Sequence, residues 1–300
     1  MSARAGSATT RQTNLRRSAH VRQVRDAESI RPILESAGPY AAYALAYLDP
    51  RNFHLAQFYE IVAGDRQAVV MHARGGLGPS TLTCGDGVLV EHLLDLHPGP
   101  RQAFFTCETT HTESVLHSHN LWRPQAMMRM RLDPADFKLP EDMAEVRRLT
   151  SADSRDLNRL YHDEGTRHIG RQIVEGIYYG AFHRSRLVAA AGTHIYSRRE
   201  GVGVVGNVYT HPDFRNHGLA TAATAAVTQH LLDACDLIVL NVDPANRTAR
   251  HIYEQLGYKE AGRLVEAMAT RRSAHTPVPF LKRLLARYRA GALGSEVVEL

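Results

Sequence analysis

Residues Val204–Tyr258 read VVGNVYTHPDFRNHGLATAATAAVTQHLLDACDLIVLNVDPANRTARHIYEQLGY, and this stretch decides the fold. An apolar run over Val202 to Thr210 predicts a strand, and the alanine-rich run after Gly218 a helix. Leu237 to Val242 predicts a second strand, and a second helix starts at Asn246. Strand alternating with helix means a sheet with helices packed on it, an α/β (α+β) class. Between the first strand and its helix stands Arg215-Asn216-His217-Gly218-Leu219-Ala220. A loop that ends a strand and opens a helix aims several unpaired backbone N–H groups at one point, and the helix dipole adds positive charge there. Such a turn is an anion site. Gly218 and Ala220 leave the backbone uncovered, Arg215 can supply charge, and Asn216 is the expected helix cap.

A glycine at a strand-to-helix turn is by itself only a tight connection in most proteins. A second motif changes its meaning: Asn246, Ala249, Tyr253, Gly257 and Tyr258 follow the second strand in the order N-x-x-A-x-x-x-Y-x-x-x-G-Y. With both motifs at this separation the sequence resembles the GNAT superfamily of acyl-CoA-dependent N-acyltransferases. Arg215-x-x-Gly218-x-Ala220 matches that family's Arg/Gln-x-x-Gly-x-Gly/Ala pyrophosphate loop, Asn246 to Tyr258 matches its second motif, and residues 144–270 fit its order of strands and helices. The resemblance implies a mixed sheet whose strands at Val202 to Thr210 and Leu237 to Val242 splay apart to admit the pantetheine arm of acetyl-CoA. It implies that the main chain at Val208 and Thr210 pairs with that arm and that Asn246 hydrogen-bonds it. The amides of His217, Gly218, Leu219, Ala220 and Thr221 would hold the pyrophosphate, with Arg215 and Asn216 beside them. Tyr253 would lie next to the thioester sulfur as general acid.

That chemistry needs few groups. A deprotonated amine attacks the thioester carbonyl directly, a backbone N–H polarises the oxygen, and a hydroxyl of ordinary pKa near 10 returns a proton to the leaving thiolate. Tyr253 suits the last role; its bland role is that of an aromatic anchor between helix and sheet. Many relatives carry a carboxylate base on the third strand of this domain, but Val204 to Thr210 has none. Either a water relay serves or a group from elsewhere does: Glu164 and His162, on the segment that tends to line the acceptor pocket in this fold, are the candidates, with His194 behind them. His117 and His119 lack a carboxylate or cysteine partner at ligand spacing, so no metal is expected.

The first half of the chain repeats the same order of strands and helices, which predicts a tandem GNAT-like fold. Each half is then a mixed, mostly antiparallel central sheet flanked by helices. The expected division is a disordered basic tail over 1–25, a degenerate GNAT-like domain over 26–133, and a proline- and acid-rich linker over 134–143. The catalytic domain covers 144–270, with its first helix capped by Ser151, and a basic amphipathic helix and tail cover 271–300. At the turn equivalent to Gly218 the first half has Cys84-Gly85-Asp86-Gly87, whose acid would repel phosphate. Its counterpart of the second motif is missing, His117 standing roughly where Tyr253 does. This half is expected to bind no donor and to supply one wall of the acceptor pocket.

A net charge of +5 and a pI near 9.2 suit an anionic ligand, although much of the arginine excess sits in the tails. Aromatic residues do not interleave with those arginines, so nucleic-acid binding is not expected. No apolar run reaches the roughly 20 residues of a membrane span and no secretory signal opens the chain, so a cytoplasmic protein is expected, although the acid-free leader also has the composition of an organelle transit peptide. The three cysteines, Cys84, Cys107 and Cys235, lie in or beside apolar runs and read as reduced core residues. The leading function is transfer of an acetyl group from acetyl-CoA to a primary amine, carried by a small molecule or by a protein or peptide; a homodimer is one option for its assembly. The alternative is a non-catalytic acyl-CoA-binding sensor or scaffold, a reading that the missing strand carboxylate favours.

Overall fold

The computed structural model describes residues 18–75, 78–162, 171–272 and 296–299. The first half runs β1 (Ser18–Val24), α1 (Arg31–Ser36), α2 (Ala42–Ala46), α3 (Pro50–Phe53), β2 (Ala56–Ala63), β3 (Arg66–Gly75), β4 (Gly78–Gly85), α4 (Gly87–Leu96), β5 (Gln102–Glu108), α5 (Thr112–Ser118) and β6 (His119–Leu132). The second half runs β7 (Arg147–Arg148), α6 (Ser154–His162), α7 (Arg171–Glu175), β8 (Tyr178–His183), β9 (Arg186–Ser197), β10 (Val202–Thr210), α8 (Leu219–Leu232), β11 (Leu237–Val242), α9 (Arg247–Gln255) and β12 (Lys259–Arg271), and β13 (Glu296–Glu299) follows.

These strands form one continuous sheet in the order β13-β1-β2-β3-β4-β5-β12-β6-β11-β10-β9-β8-β7. About its centre the order is symmetric: β4 and β5 pair in parallel in one half, β10 and β11 in the other, and the remaining neighbours are antiparallel. The halves exchange their last strands. β12 lies between β5 and β6, while β6 lies between β12 and β11, with β6 and β12 paired from His119↔Arg271 to Arg131↔Lys259. The linker therefore separates the halves in sequence but not in the sheet. It is itself docked: Lys259 Nζ donates to Asp136 Oδ2 at 2.6 Å and the Lys138 N–H to the Leu256 carbonyl at 3.2 Å.

Two expectations about the tails need correction. Ser18–Val24 belongs to the sheet as β1, paired with β2 on one side and β13 on the other. Its inward residues Ala19 and Val21 are fully buried against Ile61 and Ala63. The average composition of the leader hid this short alternation of buried and outward residues, which is all a strand needs. At the other end Glu296–Glu299 is strand, not tail; the amphipathic run Phe280 to Tyr288 lies outside the described residues. The helical start after β7 is also shifted, because Asp153, not Ser154, closes the turn. Its carboxylate accepts the Thr150 N–H at 2.8 Å and Arg147 Nη2 at 2.6 Å, so the cap falls on Thr150 rather than Ser151.

On one face of β8–β11 pack α8 and α9, with Val205, Ile238, Leu240 and Val242 buried against Ala223, Val227, Leu231 and Tyr253. On the opposite face α6 covers β8 and β9 through Leu157, Leu160 and Tyr161. The rest of that face is roofed by the first half, whose α2 residues Ala42 and Leu45 share a core with Val202, Val204 and Val239. Each of these three valines, at most 2% exposed, contributes about 1.5–3 kcal/mol by leaving water. The second half thus has one face closed by its own helices and the other closed in part by the first half.

Candidate functional site

β10 and β11 are parallel partners only from Val202↔Leu237 to Val205↔Leu240. Beyond that point they part, because on its other edge β10 bulges: its register with β9 shifts between Gly206 and Tyr209, and Asn207 takes φ +53°. Tyr161 holds the bulge by donating to the Asn207 carbonyl, and Asn207 Nδ2 donates to the Tyr178 hydroxyl at 2.8 Å. The extra residue bends the strand away and leaves a wedge between β10 and β11.

At the mouth of this wedge stands the N-terminus of α8. Asn216 and Gly218 both have positive φ, +65° and +71°, and helix geometry begins at Leu219. Gly218, rather than the expected Asn216, is the cap residue, and no side chain caps the turn. The Ala222 N–H is bonded to the Gly218 carbonyl at 2.9 Å, so the amides of Leu219, Ala220 and Thr221 precede the first helical bond and point out of the helix end. Two neighbours tighten the loop: Arg215 Nε donates to the Thr210 carbonyl at 3.2 Å, and His217 Nδ1 lies 2.7 Å from the Arg215 carbonyl. Val208 and Thr210 lie on the splayed part of β10, with Thr210 Oγ1 buried and lacking a partner among the described residues.

Asn246 caps α9, its Oδ1 accepting the Ala249 N–H at 3.0 Å, which leaves its exposed amide NH2 for a ligand. Tyr253 on α9 is buried in the core beneath the wedge, edge-on to Tyr258 at 6.2 Å between ring centroids. Tyr258 is locked in turn by Thr228, 2.8 Å from its hydroxyl. Burial pushes the Tyr253 hydroxyl up to about 12, and it has no hydrogen-bond partner among the described residues. The ring is therefore an anchor and the hydroxyl is still free to act as a donor.

The three base candidates fare differently. Glu164 lies outside the described residues, and His162 is exposed at the end of α6 with no hydrogen bond or ion pair to a described residue. His194, on β9, is held at the wedge: its Nδ1 is 2.6 Å from the Tyr43 hydroxyl, the two rings stack at 6.2 Å, and a Cβ added at Gly206 would fall 2.3 Å from its Nε2. Tyr43 comes from α2, so the first half touches the site.

Behind Tyr43 is a polar group that sequence reasoning missed. Arg129 of β6, 1% exposed, lies under the Tyr43 ring with its guanidinium carbon 5.4 Å from the centroid, and Nη2 donates to the Tyr40 carbonyl at 3.3 Å. Glu266 of β12 accepts from Asn241 Nδ2 at 2.5 Å; burial raises its carboxyl above the usual range, against the pull of Arg129. Arg129 alternates with Met128, Met130 and Leu132, which point to the other face of β6. A charged residue at an inward position of a central strand was the available signal.

Residues 178–269 match the family model described as FR47-like protein. No curated protein matches. Among solved structures, one from Drosophila superposes with a TM-score of 0.60 at 13% identity, covering 82% of this chain and 98% of its own. A GCN5-related N-acetyltransferase from Sphaerobacter thermophilus gives 0.51 at 14%, covering 84% and 95%. A tandem GNAT protein from the clavulanic acid biosynthesis pathway gives 0.50 at 11%, covering 86% and 100%. The fold is that of the GNAT superfamily. Coverage of both halves by a tandem GNAT structure, together with the symmetric strand order, makes it a tandem version.

The two halves are not equivalent at their wedges. In the first, β4 and β5 pair up to Leu82↔Thr106, and at the point of parting the Tyr40 hydroxyl reaches the carbonyls of Thr83 and Thr106, at 2.6 and 3.4 Å. Tyr40 thus fills the gap that stays open between β10 and β11. At the mouth, Asp86 caps α4 with its own carboxylate, accepting the amides of Val88 and Leu89 at 3.0 and 3.1 Å. The first-half anion position is filled by an internal anion. Among the described residues no cluster of three His, Cys, Asp or Glu side chains is arranged to hold a metal, and no helix is long and apolar enough to cross a membrane. Cys84, Cys107 and Cys235 are free and buried, with thiols pushed up to about 12, 11 and 12 chiefly by burial.

Proposed function

We propose that the second half transfers an acetyl group from acetyl-CoA to a primary amine in a ternary complex, and that the first half is a donor-free support. The observation that carries this reading is the pairing of an uncapped α8 N-terminus with an open wedge in the second half, where the first half has both positions filled by Asp86 and Tyr40. In this reading the amides from His217 to Thr221 take the pyrophosphate, with Arg215 and Asn216 beside them. The main chain at Val208 and Thr210 and the Asn246 amide line the pantetheine arm.

Tyr253 is the hydrogen-bond donor to the sulfur. Burial raises its hydroxyl well above the range of an ordinary thiol, which disfavours full transfer of its proton to the thiolate. It therefore acts by stabilising the leaving sulfur as charge develops there and by remaining protonated while it does so. For the base we prefer His194 to His162 or Glu164. The Tyr43 hydroxyl holds its ring against Gly206, where the splay begins. The attacking nitrogen forms the bond to the acyl carbon, the carbon–sulfur bond breaks, and the proton lost by nitrogen passes to His194, directly or through water.

The acceptor is an amine on a small molecule, a peptide or a protein. Release of free thiol from acetyl-CoA, followed against a panel of such amines, tests the reading. Donor binding without thiol release to any amine favours the acyl-CoA sensor or scaffold.

A further inference from the structure

We infer that the cleft over Arg129 is a binding site for a small carboxylate that also carries a cationic group, such as an amino acid. The cleft has a volume of about 360 Å³, at the small end of ligand sites, and is lined by Tyr40, Glu108, Arg129, Gly262, Arg263 and Leu264 among others. It lies where the halves exchange strands: Arg129 is on β6, and Gly262 and Arg263 are on β12 beside a register shift that falls opposite Arg129.

Arg129 is the reason to expect a ligand. Its Nε and Nη1 are buried and have no hydrogen-bond partner among the described residues, and Nη2 donates to the Tyr40 carbonyl at a long 3.3 Å. Glu266 attracts Arg129 electrostatically, but its carboxylate accepts from Asn241 Nδ2 and makes no hydrogen bond to Arg129 among the described residues. Buried charges in folded proteins are paired, and a guanidinium matches a planar carboxylate through two parallel N–H bonds. Arg263 also lines the cleft at its exposed rim, its Nε donating to Glu260 at 2.9 Å. Glu108 in the same cleft opposes a dianion such as phosphate and favours a ligand whose other end is an ammonium group.

The inference is independent of the acyl-transfer reading, since it concerns a different cleft and is read out by binding alone. The full chain is titrated by calorimetry with glycine, β-alanine, acetate, methylamine and inorganic phosphate, with and without acetyl-CoA. Glycine or β-alanine is expected to bind one per chain, acetate more weakly, and phosphate and methylamine not at all. Arg129→Met is expected to weaken binding by at least about tenfold. That variant can fail to fold, so two exposed rim variants accompany it: Ser36→Trp, which fills the cleft mouth, abolishes binding, and Arg263→Ala weakens it severalfold. Glu108→Gln brings acetate and glycine to equal affinity. No binding by any of the five compounds overturns the inference, as does phosphate binding more tightly than glycine, or binding that survives Ser36→Trp. Amino-acid binding in a chain that never releases thiol from acetyl-CoA would leave this site standing and remove the enzymatic reading.

Discussion

Replacing Gly218 by Asp would put a carboxylate at the N-terminus of α8, as Asp86 does at α4, though from a left-handed rather than an extended backbone, and the structure allows its two effects to be separated. Gly218 has φ +71°, and a Cβ there meets nothing within 4 Å, so the substitution costs no packing. The left-handed backbone costs an ordinary L-residue about 1–2 kcal/mol, with Asp at the low end. A carboxylate at a helix N-terminus returns about 0.3–1 kcal/mol. The net loss of stability is then about 1 kcal/mol or less, a small shift in melting temperature. Donor binding has no such compensation. The new carboxylate competes for the amides proposed to hold the pyrophosphate, each charge-assisted bond being worth about 1.5–3 kcal/mol, so the loss of one or two raises the Kd for acetyl-CoA by roughly tenfold to well over a hundredfold. Gly218→Asn, which tolerates the same backbone without the charge, separates strain from repulsion and should lose much less. Calorimetric titration of the variants, with melting curves alongside, measures both quantities. A folded Gly218→Asp protein whose Kd is within twofold of the parent would falsify the assignment of this helix end to the donor.

Other consequences concern single groups. Tyr253→Phe should leave the Kd for acetyl-CoA within twofold and lower kcat by about ten- to a hundredfold, the worth of one hydrogen bond to a charged sulfur; unchanged kcat in steady-state assays would make the residue an anchor only. Gly206→Ala puts a methyl 2.3 Å from His194 Nε2, so the ring must move, at a cost of about 1–3 kcal/mol for overpacking. Its thiol-release rate should fall with donor binding retained, and full activity would exclude His194 as the base. His72 is buried, with its ring nitrogens bonded to Thr81 Oγ1 and the His97 carbonyl, and burial holds it down at about 4 against 6.5. Between those values the unfolded chain binds the extra proton. Its contribution is therefore complete above about pH 6.5 and is lost as pH falls toward 4, by about 3 kcal/mol in all. Urea melts from pH 7 to 4 should show that slope, and His72→Gln should flatten it; an identical slope in the variant would locate the acid sensitivity elsewhere.

What could be read from the residues alone followed the range of the interactions involved. The Gly218 turn and the Asn246 cap are local devices, each formed by residues within a few positions, and both stand where the pattern put them. The exact cap was misplaced twice, at Asn216 and at Ser151. A cap depends on backbone angles that several neighbouring polar residues could satisfy, and here Gly218 and Thr150 took them. The alternation in β6 and β12 marks them as strands but carries no record of which strand each will join, so their exchange between the halves was not visible. The same limit hid the roles of Tyr40, Tyr43 and Arg129. Tyr40 looks like one more helical aromatic until β4 and β5 part in front of its hydroxyl. Arg129 meets Tyr43, 86 positions earlier, only because β6 lies next to β11 under the roof of α2.

The central claim is that one half of this tandem fold is open to the donor and the other is plugged. The most direct measurement is the stoichiometry of acetyl-CoA binding to the full chain by calorimetry, repeated on Tyr40→Ala. One molecule per chain is the predicted result for the parent. For the variant the result should again be one, because Asp86 still fills the helix end. Two molecules per chain of the parent, or none, would contradict the account.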